Sequence, residues 1–184
     1  MKRVFLSFLL MMAFAVSNAQ ASHSIAPKKI EAGDSQMWWG YCGDDPFYYG
    51  GTGFGGESEF AVFETAIFLP GNDKLLANKT IEAVRFYAME NNGLEYCYLG
   101  FSSDIYESTS THYFYVINPS DIKYGEFTDI ALSEPHAIPA EGVYLVMRFY
   151  VSSESLNPGM LPVGVDFTKK NVPNSYFIRF SSEA

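Results

Sequence analysis

The segment Gly142 to Val151, GVYLVMRFYV, constrains the fold more than any other stretch of the chain. Val143, Leu145, Met147 and Phe149 share one parity, and Tyr144, Val146, Arg148 and Tyr150 share the other. A period of two places the first set on a core face and the second on a half-covered face of a β-strand. Similar runs recur at Glu59 to Leu69, Thr80 to Met89, Glu95 to Ser102, His112 to Ile117, Phe127 to Leu132, Leu161 to Phe167 and Ser175 to Phe180. Pro70-Gly71-Asn72-Asp73, Asn91-Asn92-Gly93, Asn118-Pro119-Ser120-Asp121, Asn157-Pro158-Gly159 and Pro173-Asn174 punctuate them as turns. Short strands with polar connections and scarce helical periodicity predict an all-β chain. The expected architecture is a two-sheet antiparallel β-sandwich, jelly-roll-like.

Two of the strand patterns carry a charge among apolar neighbours. Arg85 lies on the parity opposite Val84, Phe86 and Ala88, and Arg148 lies beside Tyr150. A guanidinium in such a place needs a carboxylate or a path to water, so a structural ion pair is the first expectation for each.

The N-terminus has a different character. Lys2 and Arg3 precede the apolar run VFLSFLLMMAFAV, and small residues follow at Ser17-Asn18-Ala19 and Ala19-Gln20-Ala21. This is the layout of a cleavable export signal, too short for a membrane span. Residues 1–19 are read as the signal, 20–35 as a flexible mature N-terminus and 36–184 as one β-sandwich domain. No cysteine stands at the cleavage point for lipid attachment. The expected location is secreted, periplasmic or cell-surface, and the mature chain is not expected to span a membrane.

Charge excludes whole classes of partner. The chain carries a formal net charge of −9, and loss of Lys2 and Arg3 makes it more negative, so nucleic acid and anionic lipid are repelled.

The stretch WWGYCGDDPFYYGGTGFGG, Trp38 to Gly56, gathers the residues most suggestive of binding. Trp38, Trp39, Tyr41, Tyr48 and Tyr49 offer aromatic faces on which sugar rings stack, with carboxylates nearby to accept hydroxyl protons. In an extended segment Trp38 and Trp39 point to opposite faces, so one is expected in the core and the other exposed or covered. Asp44 and Asp45, beside glycine-rich backbone, are candidate calcium ligands, with Asn72 and Asp73 next; no other cofactor is expected. Gly51, Gly53 and Gly56 match the spacing of a dinucleotide fingerprint, but a tyrosine-rich loop precedes them and a strand follows, which is the wrong context. Cys42 and Cys97 are a candidate disulfide in an exported chain, of about 4 kcal/mol in the chain-entropy model.

WWGYCGD, the glycines around Thr52, FETAIFLPGNDKLLANKTIEAVRFYAME and LSEPHAIPAEGVYLVMRFYV resemble an N-terminal β-sandwich module of secreted and surface Bacteroidetes proteins. In that family the module stands ahead of streptopain-like peptidase domains or immunoglobulin-like repeats. The resemblance covers about Gln36 to Val151 and implies a non-catalytic accessory role.

Catalysis has little support. The three histidines are His23 in the N-terminal stretch, His112 opening a strand and His136 beside prolines, where it serves a turn. No GxSxG elbow or peptidase-type cysteine motif is present. Glu57, Glu59 and Glu64 are the carboxylates placed near aromatics, where glycoside hydrolysis would require a defined separation. The chain is therefore read as a non-enzymatic exported binding or accessory module contacting an extracellular glycan through the aromatic loop. The alternative is an adhesin-like interaction subunit that binds a secreted or surface protein and no small ligand. Intact-mass analysis of exported protein is expected to show cleavage after Ala19 or Ala21; retention of Met1 to Ala19 would refute the leader.

Overall fold

The computed structural model describes residues 3–7, 23–24, 36–41, 49–51, 60–89, 93–106, 111–152, 164–166, 173 and 177–181. Its strands are β1 (Arg3–Ser7), β2 (His23–Ser24), β3 (Gln36–Trp39), β4 (Tyr49–Gly51), β5 (Phe60–Leu69), β6 (Thr80–Ala88), β7 (Leu94–Ser102), β8 (Thr111–Ile117), β9 (Glu126–Ala137), β10 (Val143–Ser152), β11 (Gly164–Asp166) and β12 (Phe177–Ser181). One sheet has the order β3-β1-β6-β9, a second β12-β5-β10-β7-β8-β2, and β11 and β4 form a small ribbon. The two main sheets pack as the β-sandwich that the alternation predicts. The chain passes from the larger sheet at β5 to the smaller at β6, returns for β7 and β8, crosses again at β9 and closes with β10.

β10 is the middle of the larger sheet. Its residues Val143 to Ser152 pair antiparallel with Leu69 to Phe60, and its other edge pairs with β7 from Ser102 to Leu94. Val143, Leu145, Met147 and Phe149 are buried, as their parity requires, and join Phe63, Ile67, Leu69, Leu99 and Ile117 in the core. The smaller sheet supplies Ile81, Val84, Phe86, Ala88, Ile130 and Leu132 from the other side. Phe63 and Phe149 stack at 5.6 Å between ring centres. Cys97 lies in this core as a free thiol, and burial raises its pKa well above the ordinary value. Its candidate partner Cys42 lies outside the described residues.

β9 runs past the predicted end at Leu132. Ala131 pairs with Ala83 and His136 with Ile81, so Leu132 to Pro135 stand opposite Glu82 out of register, with Leu132 still in the core and Ser133 to Pro135 exposed. Pro135, which has no N–H to donate, thus sits outside the ladder. His136 is consequently a strand residue, not a turn residue. Its ring stacks on Phe101 at 3.8 Å and 4°, and burial lowers its pKa. Burial favours the neutral imidazole in the fold, so stability falls as pH drops below the ordinary histidine value.

The N-terminal segments enter by parallel pairing. β1 lies between β3 and β6 and runs parallel to both, so residues assigned to the leader occupy the centre of the smaller sheet in the full chain. β2 lies parallel to β8, which makes His23 a strand residue within the stretch expected to be flexible. In the turn before β10, Gly142 adopts φ +92°, and a Cβ there would sit 2.3 Å from Phe68 Cζ. Glycine is needed at that turn both for its conformation and for its lack of a side chain.

Thr65 breaks the apolar core face. It pairs with Met147 on the inward parity, is 1% exposed, and its Oγ1 has no hydrogen-bond partner among the described residues. Thr65→Val is therefore expected to stabilise the protein by about 1 kcal/mol, read as a higher urea midpoint at unchanged slope. A lower midpoint would mean that the hydroxyl is satisfied.

Candidate functional site

The aromatic residues at the start of the sandwich divide as strand alternation requires. Trp39 and Tyr41 pack against the core, with their rings edge to face at 4.9 Å, and the Tyr41 hydroxyl donates to the Phe68 carbonyl at 2.9 Å. Burial first, then the nearby Asp73 carboxylate, pushes the Tyr41 pKa up to about 12. Trp38 takes the opposite face, where the Arg85 guanidinium lies 4.0 Å from its ring centre. Arg85 is held there by Asp129, Nε to Oδ1 at 2.5 Å and Nη2 to Oδ2 at 2.8 Å. This is the ion pair expected for Arg85, with a cation–π contact added. One face of Trp38 is thereby occupied within the protein. Tyr49 is described only as the start of β4, paired with Asp166. Tyr48, Asp44, Asp45, Glu57 and Glu59 lie outside the described residues.

Asp73 has a local task. Its Oδ1 accepts the Leu75 N–H at 2.7 Å, an Asx turn that shapes the connection from β5 to β6. Among the described residues no group of three or more histidine, cysteine, aspartate or glutamate side chains is placed to hold a metal ion.

A second constellation lies on the outer face of the larger sheet, away from Trp38. The register aligns Arg179 of β12, Glu64 of β5, Arg148 of β10 and Tyr98 of β7 in one cross-strand row. Arg148 donates from Nε to Glu64 Oε1 at 2.9 Å, with Nη2 2.8 Å from the same oxygen. Arg179 donates from Nε to Glu64 Oε2, which its Nη2 also contacts. Glu64 and Arg148 are almost fully buried, whereas the Arg179 side chain keeps 35% of its exposure. One carboxylate thus binds two guanidiniums, and the three side chains carry one formal excess positive charge.

Beside Arg179 opens a cavity of about 270 Å³, lined by Glu64, Ala66, Ile105, Tyr106, Val146, Phe177 and Arg179, with Thr65 and Ile178 completing it. Most of this lining is apolar. Tyr144 packs at 5.4 Å against Phe177 and at 4.9 Å against Phe68, and burial raises the pKa of its hydroxyl. Tyr106, at the rim, is 85% exposed.

Local hydrogen bonds set the rim. Ser102 Oγ donates to the Asp104 carbonyl at 2.6 Å, and the Tyr106 N–H donates to Asp104 Oδ1 at 2.8 Å. Arg179 Nη1 then donates to the Ile105 carbonyl at 3.2 Å, joining the loop to β12. The aromatic at the rim and the cation at the floor are therefore positioned by one network.

Sequence reasoning identified Arg148 and its need for a carboxylate, but it missed Arg179, Tyr106 and Phe177. Arg179 did carry the same signal as Arg148, a cation within the apolar run SYFIRF. Tyr106 had none, since nothing local places it beside a strand more than 70 residues later.

Comparisons with protein-family models, curated proteins and solved structures return no significant match to this chain. The site is therefore interpreted from its own chemistry. Glu64→Gln would leave two like-charged guanidiniums against a neutral amide, and loss of a buried partner costs about 3–5 kcal/mol. A marked fall in urea midpoint is expected for Glu64→Gln and a much smaller one for Arg179→Met, whose side chain reaches solvent. Equal losses would show that Arg179 is as structural as Glu64.

Proposed function

We propose that the protein is an exported, non-catalytic binding module that contacts glycans, with the cavity beside Arg179 as its ligand site. The observation that carries this reading is the exposed Tyr106 ring at the rim of a concave, largely apolar site with a hydrogen-bonding cation at its floor. Aromatic area receives the apolar face of a sugar while a few fixed polar groups select its hydroxyls. Rigid strands on the floor limit the ordering cost of binding.

Glu64 supports a non-enzymatic role. Both its oxygens accept from arginines, as suits a carboxylate that positions the two side chains, and glycoside hydrolysis would need a second carboxylate opposite it. The leader pattern supports export, and among the described residues no helix is long and apolar enough to cross a membrane. The similarity to Bacteroidetes surface modules is consistent with an accessory role beside other domains.

Calorimetric titration of the mature protein with a panel of soluble oligosaccharides tests the reading. Tyr106→Ala is expected to weaken binding about tenfold, or about 1.4 kcal/mol, at unchanged unfolding midpoint and with no sugar released by hydrolysis. Binding that Tyr106→Ala leaves intact while Trp38→Ala removes it would move the site to the other sheet.

A further inference from the structure

We infer that removal of the leader opens a strand-wide gap in the smaller sheet, between β3 and β6, and that a partner protein fills it by donating an extended apolar strand in parallel. This inference rests on the export reading and is independent of the glycan site.

The first argument is the occupant that the full chain shows. β1 pairs in parallel with Gln36 to Trp39 of β3 and with Ile81 to Arg85 of β6. Cleavage after Ala19 or Ala21 takes this strand away, and the facing backbone edges of β3 and β6 lose their ladder partners in the interior of a sheet. The second argument is that the gap is held open. Gln36 Nε2 donates to Glu82 Oε2 at 3.0 Å and the Arg85 guanidinium lies 4.0 Å from the Trp38 ring centre, so β3 and β6 are tied across two strand spacings, about 9.6 Å. Past the end of β3, Tyr41 donates to the Phe68 carbonyl of the larger sheet and packs on Trp39. None of these contacts involves β1, so they remain once the leader is gone.

Register and charge describe the donated strand. Val4 stands in register with Met37 and Ile81, and Leu6 with Trp39 and Val84; Ile81 and Val84 belong to the core, and Met37 and Trp39 pack against it. An incoming strand therefore needs apolar residues two apart at those positions. The formal charge of −9 favours basic residues beside them, as Lys2 and Arg3 precede Val4 in the leader. Residues 25–35 of the chain itself do not supply such a strand, because they hold Pro27, Lys28, Lys29, Glu31 and Asp34 and lead from β2 in the larger sheet to β3 in the smaller. In strand addition of this kind, main-chain pairing gives affinity and the alternate side chains give selectivity.

The experiment uses processed protein from exporting cells, its loss of the leader verified by intact mass, and the peptide KRVFLS, Lys2 to Ser7, as the donated strand. Saturable binding is expected, with a higher urea midpoint and slower amide hydrogen exchange in β3 and β6. The same peptide carrying Val4→Asp and Leu6→Asp is expected to bind about tenfold or more weakly. Should the processed protein unfold when isolated, the native peptide added during refolding is expected to restore its near-ultraviolet circular dichroism, and the Asp-substituted peptide is not. Absence of saturable binding, to the folded processed protein or on refolding, overturns the inference while export stands; β6 amides already protected without peptide would then show that β3 has closed on β6. Equal binding of the native and Asp-substituted peptides overturns insertion between β3 and β6 in this register. A mass that retains Met1 to Ala19 overturns export and the inference together.

Discussion

Everything else in the molecule is arranged around the two-sided pairing of β10. A strand hydrogen-bonded on both edges over nearly its whole length has no backbone group left to satisfy, so it can be placed at the centre of a sheet with both faces covered. Its inward parity supplies Val143, Leu145, Met147 and Phe149 to the sandwich core. Its outward parity then fixes the order in which Tyr144, Val146, Arg148 and Tyr150 meet the neighbours on β5 and β7. The ionic row is a consequence of that register. A slip of one residue would send Arg148 into the core and Met147 to the outer face.

The row itself has a cost that limits what it can be for. Charges withdrawn from water pay a desolvation penalty that well-packed apolar residues would avoid, so Glu64 with two arginines is poor value as a source of stability. What it does supply is position. Glu64 reaches across from β5 to Arg179 on β12, and Arg179 reaches on to the Ile105 carbonyl, so the last strand and the loop after β7 are held to the same carboxylate. The bulk of the folding energy comes from the apolar faces between the sheets, while the ion cluster determines which pieces of chain frame the cavity.

The parts of this arrangement legible in the sequence were those governed by local period. The alternation in β10 and β6, the both-parity apolar character of β5, and the turn at Asn118-Pro119-Ser120-Asp121 all follow from neighbours within a few residues. The need of Arg85 and Arg148 for carboxylates was legible as chemistry, but the identities of Asp129 and Glu64 were not. Those partners lie 44 and 84 residues away and are chosen by sheet register. β9 beyond Leu132 was hidden for a different reason, because a bulge and a proline erase the period of two. The strands β1 to β4 were missed because each is short and takes its stability from a partner rather than from its own pattern.

The same distinction explains why aromatic density pointed to the edge strand of the smaller sheet and site geometry to the larger sheet. Trp38, Trp39 and Tyr41 are adjacent in the chain, so they stand out by eye, yet strand alternation sends Trp39 and Tyr41 to the core and places Trp38 beneath Arg85. Tyr106, Phe177 and Arg179 are scattered in sequence and become neighbours only when β12 pairs with β5. A cluster along the chain is shared out between two faces by the backbone, whereas a cluster across strands stays on one face. In a sandwich, residues of like parity on paired strands are therefore better indicators of a binding surface than residues consecutive in sequence.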